Sequence, residues 1–185
     1  MLFSAIYTGV IQKGSALNNY HIKVFVNHLE LLSKFLTKIE VHVNSDPSIL
    51  KARLIDGMLP LFAQVEIAAS FSLRTSCPIA SVGVVSFSQE NKSFLGLQAQ
   101  LRETVDYLVK LDDVPSDLSG CDITDMAGPV EVKLPAFDFI NNFAFPNFFF
   151  HLSMVYAIAR ASGMPATKGD FDGIHKYPTG FSFEE

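Results

Sequence analysis

The stretch Phe143–Arg160, FAFPNFFFHLSMVYAIAR, constrains this chain more than any other. It is aromatic and aliphatic almost throughout, so a helix built from it is buried on most of its circumference. Yet it carries Asn147, His151, Tyr156 and Arg160. Asn147 and His151 are four residues apart, and a helix stacks them on one face. A buried polar group without a partner costs about 1–3 kcal/mol. These side chains therefore either close a polar network or form a site.

The rest of the chain supports a helical setting. With 185 residues, 49% hydrophobic and 18% charged, it is long and apolar enough for one core. Leu17, Val24, Leu31, Phe35 and Ile39 repeat at helical spacing and predict a first helix over Leu17–His42. Asp46 and Pro47 suit a cap and a first turn, and predict a second helix over Pro47–Arg74. Pro60, beside Gly57, should bend that helix or split it in two. Cys77–Phe87 reads as a connecting loop. Ser88 is a plausible cap for a third helix to about Leu111, with Arg102 and Asp106 as an exposed charge pair. Val130–Leu134 alternates like a short strand and would pair with Asp122–Thr124 across Ala127–Pro129. The fourth helix is expected over Ala136–Ser162, kinked by Pro146 and stopped by Gly163. Four long helices, two short connections and one long connection carrying a hairpin predict a four-helix bundle.

Composition excludes several roles. Net charge is −5 with no basic block, which argues against nucleic acid as a partner. No run reaches the ~20 apolar residues of a membrane span, and the N-terminus lacks a basic region before its apolar run. A cytoplasmic protein is expected. Cys77 and Cys121 match no metal spacing; they read as free thiols, with a single disulfide as the alternative.

Two stretches carry a family resemblance. One holds Ala52-Arg53-Leu54, Met58, Pro60-Leu61, Gln64-Val65 and Ala68. The other holds Phe143, Pro146-Asn147-Phe148, Phe150-His151, Tyr156, Ile158, Arg160 and Gly163, then Lys168, Asp170-Phe171 and Gly173. Leu32-Ser33, Leu36, Lys38 and His42 add to them. The chain resembles, over about Leu29–Gly173, an uncharacterised bacterial and fungal family, domain of unknown function 1993, within the DinB/YfiT-like superfamily. That resemblance implies an all-α, DinB-like four-helix bundle, with the small β-hairpin in the connection before the fourth helix. Residues 1–185 would form one domain, 164–185 being a tail packed on it. It also implies a homodimer.

Members of the wider superfamily commonly hold a divalent metal with three histidines, and some are thiol-dependent transferases or metal-dependent hydrolases. The three positions carry over to Gln64, Asn147 and His151. Carboxamide oxygens are weak ligands for zinc or nickel. No cofactor is therefore expected; zinc or nickel on His151, with His28 as a replacement ligand, is the alternative. His28 lies on the apolar stripe of the first helix with His21 and His42 nearby, where a histidine is usually a packed core or rim residue. Arg53 with Asp56, and Arg160 with Asp170 or Asp172, would be ion pairs. Arg160 and Lys168 would tie down the tail, or Arg53 or Arg160 would build an anion site. The pocket candidates are Gln64, Asn147, His151, His28, Tyr156, Arg53 and Arg160. The expected function is a non-catalytic or small-ligand-binding bundle with a degenerate metal site. The alternatives are a transferase or hydrolase using His151, or an interaction module without a small-molecule site.

Overall fold

The computed structural model describes residues 19–111, 115 and 117–178. The expected helical start at Leu17 and the end of the tail lie outside these. The chain is mostly helical, with one two-stranded antiparallel sheet. Helix α1 spans Tyr20–His42 and buries Ile22, Phe25, Leu29, Leu32, Phe35, Leu36 and Ile39 along one stripe. Helix α2 spans Leu61–Ile79 and α3 spans Phe94–Val109. Strands β1 (Asp122–Ala127) and β2 (Val130–Pro135) pair with Ile123 opposite Leu134. The chain then runs through α4 (Ala136–Asp138), a π-helical turn (Phe139–Ala144) and α5 (Phe145–Ala161). A short α6 (Lys168–Asp172) closes on Gly173, whose φ of 71° is a left-handed cap.

Several boundaries differ from the expectations, each for a local reason. The helix expected from Pro47 is only a 3-10 turn, Pro47–Lys51, with Asp46 capping Ser48 N–H. Regular helix restarts at Leu61, after Pro60, and runs on through Cys77 and Pro78 to Ile79. Ser88 does not cap α3: its hydroxyl donates to Glu66 Oε1. Ser93 is the cap, accepting from Gly96 N–H at 3.1 Å. The hairpin pairs six residues on each strand, longer than Asp122–Thr124 with Val130–Leu134. Arg102 and Asp106 form no ion pair among the described residues.

The fourth helical stretch is continuous, and the irregularity around Pro146 is taken up as the π turn. Proline has no N–H to give the carbonyl one turn back. Asparagine side chains return bonds in this region: Asn141 Nδ2 donates to Phe137 O at 2.8 Å, and Asn147 Nδ2 to Phe143 O at 2.7 Å.

Helix directions follow from contacts between named residues. Gln64 meets His151 while Phe71 meets Phe143, so α2 and α5 are antiparallel. Tyr20 and Phe25 meet Phe145 while Phe35 meets Tyr156, so α1 and α5 are parallel. Lys92, just before α3, pairs with Glu66 near the start of α2, and Tyr107 hydrogen-bonds Cys77 near its end. Helices α2 and α3 therefore run the same way. This corrects the expectation of a short connection there: residues 80–93 must travel back along the bundle. On the way Val85 N–H meets the Cys77 sulfur and the Phe87 ring packs on Tyr107. Cys77 is fully buried and Cys121 half-buried, and both are free thiols.

Candidate polar site at the α2–α5 interface

Gln64 and His151 face each other from antiparallel helices. Gln64 enters the first turn of α2 and is 1% exposed; His151 is 8% exposed. Gln64 Nε2 donates to Leu59 O at 3.2 Å, which leaves its Oε1 as an acceptor aimed at His151. His151 Nδ1 lies 2.6 Å from that oxygen. An amide oxygen only accepts, so the Nδ1 proton is the donor. A neutral ring then carries its lone pair on Nε2. Burial pushes the imidazole down to about 4, so the neutral form holds at pH 7. Among the described residues Nε2 takes no hydrogen-bond partner, and it is not one of their sealed, unpartnered polar atoms.

The neighbours of His151 are aromatic. The His151 ring stacks on Phe71 at 5.8 Å and 26°, and Phe143 packs on the same Phe71 at 5.8 Å. Phe150, 50% exposed, sits edge-on to His151. The Arg74 guanidinium lies 4.7 Å from the Phe71 centroid. Arg74 is committed elsewhere, through Nε to Asp125 Oδ1 at 2.9 Å and through Nη2 to Met126 O at 3.0 Å, and it pins the hairpin.

That anchor sets one expected result. Arg74→Met keeps the packing on Phe71 but leaves the 13%-exposed Asp125 carboxylate unpaired. Stability should fall by about 2 kcal/mol, less than for a fully buried pair. Amide exchange across Asp122–Ala127 should quicken, and Asp125→Ala in the same background should cost nothing more. An unchanged exchange rate would show that the hairpin is held by its other contacts.

The remaining candidates are placed elsewhere. Asn147 bonds within its own helix turn rather than to Gln64 or His151. His28 Nδ1 contacts Val24 O at 2.8 Å, and its ring packs on Phe149 at 4.9 Å. Phe149 is two residues, about 200° of helix, from His151, so the two imidazoles flank α5 on different sides. Arg53 Nη1 donates to Met58 O and closes its own loop; no pair with Asp56 forms. Tyr156 Oη and Arg160 Nη1 both donate to Ala166 O, at 3.2 and 3.1 Å. The Arg160–Asp170 and Arg160–Asp172 pairs are corrected: Asp170 pairs with Lys38 on α1 at 2.8 Å, and Asp172 with His175. Lys168 does not hold the tail; Lys38 does. Phe71 and Arg74 were absent from the candidate set, although Phe71 lies seven residues beyond Gln64, on the same helical face.

The three superfamily positions do not fit a zinc or nickel centre. They offer one imidazole and two carboxamides, and the inner oxygen of Gln64 is already spent on His151. Among the described residues, no group of three His, Cys, Asp or Glu side chains is placed to hold a metal ion. No helix among them is long and apolar enough to cross a membrane.

Helix order and the parallel α2–α3 pair define a mostly helical fold with one small antiparallel sheet, DinB-like in architecture. A crystal structure of a DinB family member from Shewanella denitrificans has this fold, with a TM-score of 0.75 at 20% identity over 88% of this chain and 94% of that one. The family profile described as a domain of unknown function (DUF1993) matches residues 17–172, and the chain belongs to that family. No curated protein matches it.

Proposed function

We propose that this chain is a DinB-type four-helix bundle whose metal position has become a small-ligand site. The observation that carries the reading is the Gln64–His151 hydrogen bond, which fixes a neutral imidazole with Nε2 free to accept. Phe71, Phe143 and Phe150 would pack against an apolar or aromatic body. Arg74, whose guanidinium stacks on Phe71, is already paired with Asp125. The ligand is therefore neutral and donates one hydrogen bond, as a phenol or an indole does. A hydrolase or transferase using His151 as a base is the second reading. A group that holds its proton only below about pH 4 is a weak base at pH 7, which disfavours it.

Metal analysis of untagged protein, together with nitrogen NMR of the imidazole, tests this. The expected result is less than stoichiometric zinc or nickel, a proton on His151 Nδ1, and an Nε2 signal that moves with phenol but not with benzoate. One metal ion per chain, lost in His151→Ala, would overturn the proposal and restore the enzyme reading.

A further inference from the structure

A second polar feature lies away from His151, in the seam between α2 and α3. Ser76 Oγ, Thr104 Oγ1 and Gln100 Oε1 are sealed from solvent and have no hydrogen-bond partner among the described residues. Ser76 and Thr104 are 0% exposed and Gln100 is 4% exposed. Such groups are nearly always satisfied in native proteins, by protein or by ordered water.

The three belong together. Helices α2 and α3 are parallel, tied at one end by Glu66 and Lys92 and at the other by Cys77 and Tyr107. Those ties set each α3 residue opposite an α2 residue numbered about 26 to 30 lower. Thr104 is thereby opposite Ser76, and Gln100 opposite Ser72. Gln100 and Thr104 are also one turn apart on α3, about 5–6 Å between their Cβ atoms. They share the side of α3 that carries Tyr107, the side facing α2.

Neighbouring hydroxyls show the usual alternative. Ser72 Oγ donates back to Ala69 O at 2.7 Å, and Thr75 Oγ1 to Phe71 O at 2.7 Å. Ser76 and Thr104 do not turn back in this way, nor do they bond each other. Two hydroxyls and an amide end thus share one buried layer of the α2–α3 pair. Turning the Gln100 amide over would exchange one unpartnered inner atom for another.

We propose that the α2–α3 seam is a hydration site: a bound water bridging Ser76 Oγ, Thr104 Oγ1 and the inner end of Gln100. A water needs two to four polar partners, and these three supply them. It links two parallel helices inside the buried core, where Leu73 and Leu101 are also sealed from solvent.

A high-resolution crystal structure of the full chain tests the site directly. The expected result is a solvent peak within hydrogen-bond distance of at least two of the three side chains. No peak, with Ser76 and Thr104 turned onto their own helix carbonyls, would overturn it. A double-mutant cycle in urea tests it independently of diffraction. Ser76→Ala and Thr104→Val should each raise the unfolding equilibrium constant about tenfold. The double variant should fall well short of the hundredfold product, because both hydroxyls act through one water. Strictly multiplicative effects, or a Thr104→Val protein more stable than the parent, would overturn the proposal.

Discussion

Acidification from pH 7 to pH 4 is expected to remove a large part of this protein's stability. Two histidines would be the main cause. Burial pushes both His21 and His151 from the ordinary 6.5 down to about 4. Once unfolded, each would titrate near 6.5. Between those values the unfolded chain binds more protons than the folded one, so stability rises with pH across the window. The contribution is complete above pH 6.5, is lost progressively on going down, and is exhausted near pH 4. Each group is worth on the order of 2–3 kcal/mol, against a usual total of about 5–15 kcal/mol.

The two differ in a way that separates them. His151 has a partner in Gln64, whereas neither nitrogen of the fully buried His21 finds one among the described residues. His21 lies edge-on between Tyr20 and Phe25, and gains only packing. His21→Leu should therefore be neutral or stabilising at pH 7 and should flatten the acid loss by about half. Urea midpoints at pH 7, 5.5 and 4 read this out. An unchanged acid loss in His21→Leu would move the cause to other groups.

The helical stripes were legible because burial leaves a periodic trace. Phe35 and Ile39 of the expected α1 stripe are buried, whereas Val24 and Leu31 are only partly so and the buried line runs through Phe25, Leu29, Leu32 and Leu36 beside them. The hairpin was legible from alternation around Gly128-Pro129. Helix direction leaves no such trace. Nothing in the Ala80–Ser93 segment announces that it runs back beside α2, and that return decides that Cys77 meets Tyr107 and that Ser76 lies opposite Thr104. Competing caps were equally hidden. Ser88 and Ser93 both suit a helix start, and Glu66, remote in sequence, draws Ser88 away. Of the polar site, the Gln64–His151 contact could be anticipated from the family pattern. The diversion of Asn147 could not, because it depends on carbonyl geometry around the π turn.

Phe148→Ala is expected to be the most damaging single truncation on α5. Phe148 is 0% exposed and its ring meets Phe25 edge-on at 4.9 Å and Phe149 at 5.4 Å. Removing it leaves a cavity between α1 and α5, where three aromatic rings interlock and can collapse only partly. The cost should be about 3–5 kcal/mol, a fall of roughly 10 °C in Tm for a chain of this size. Phe150→Ala is the natural control, since that ring is half exposed and should cost under about 1 kcal/mol. The position of Phe148 also links the core to the polar site. It lies three residues before His151 on the same helix, so a shift of α5 into the cavity would lengthen the His151–Gln64 bond. Phe148→Leu, which fills most of the volume, should recover most of the stability and leave that bond in place. If Phe148→Ala lost no more than Phe150→Ala, the α1–α5 seam would not be the packed core that the ring distances describe.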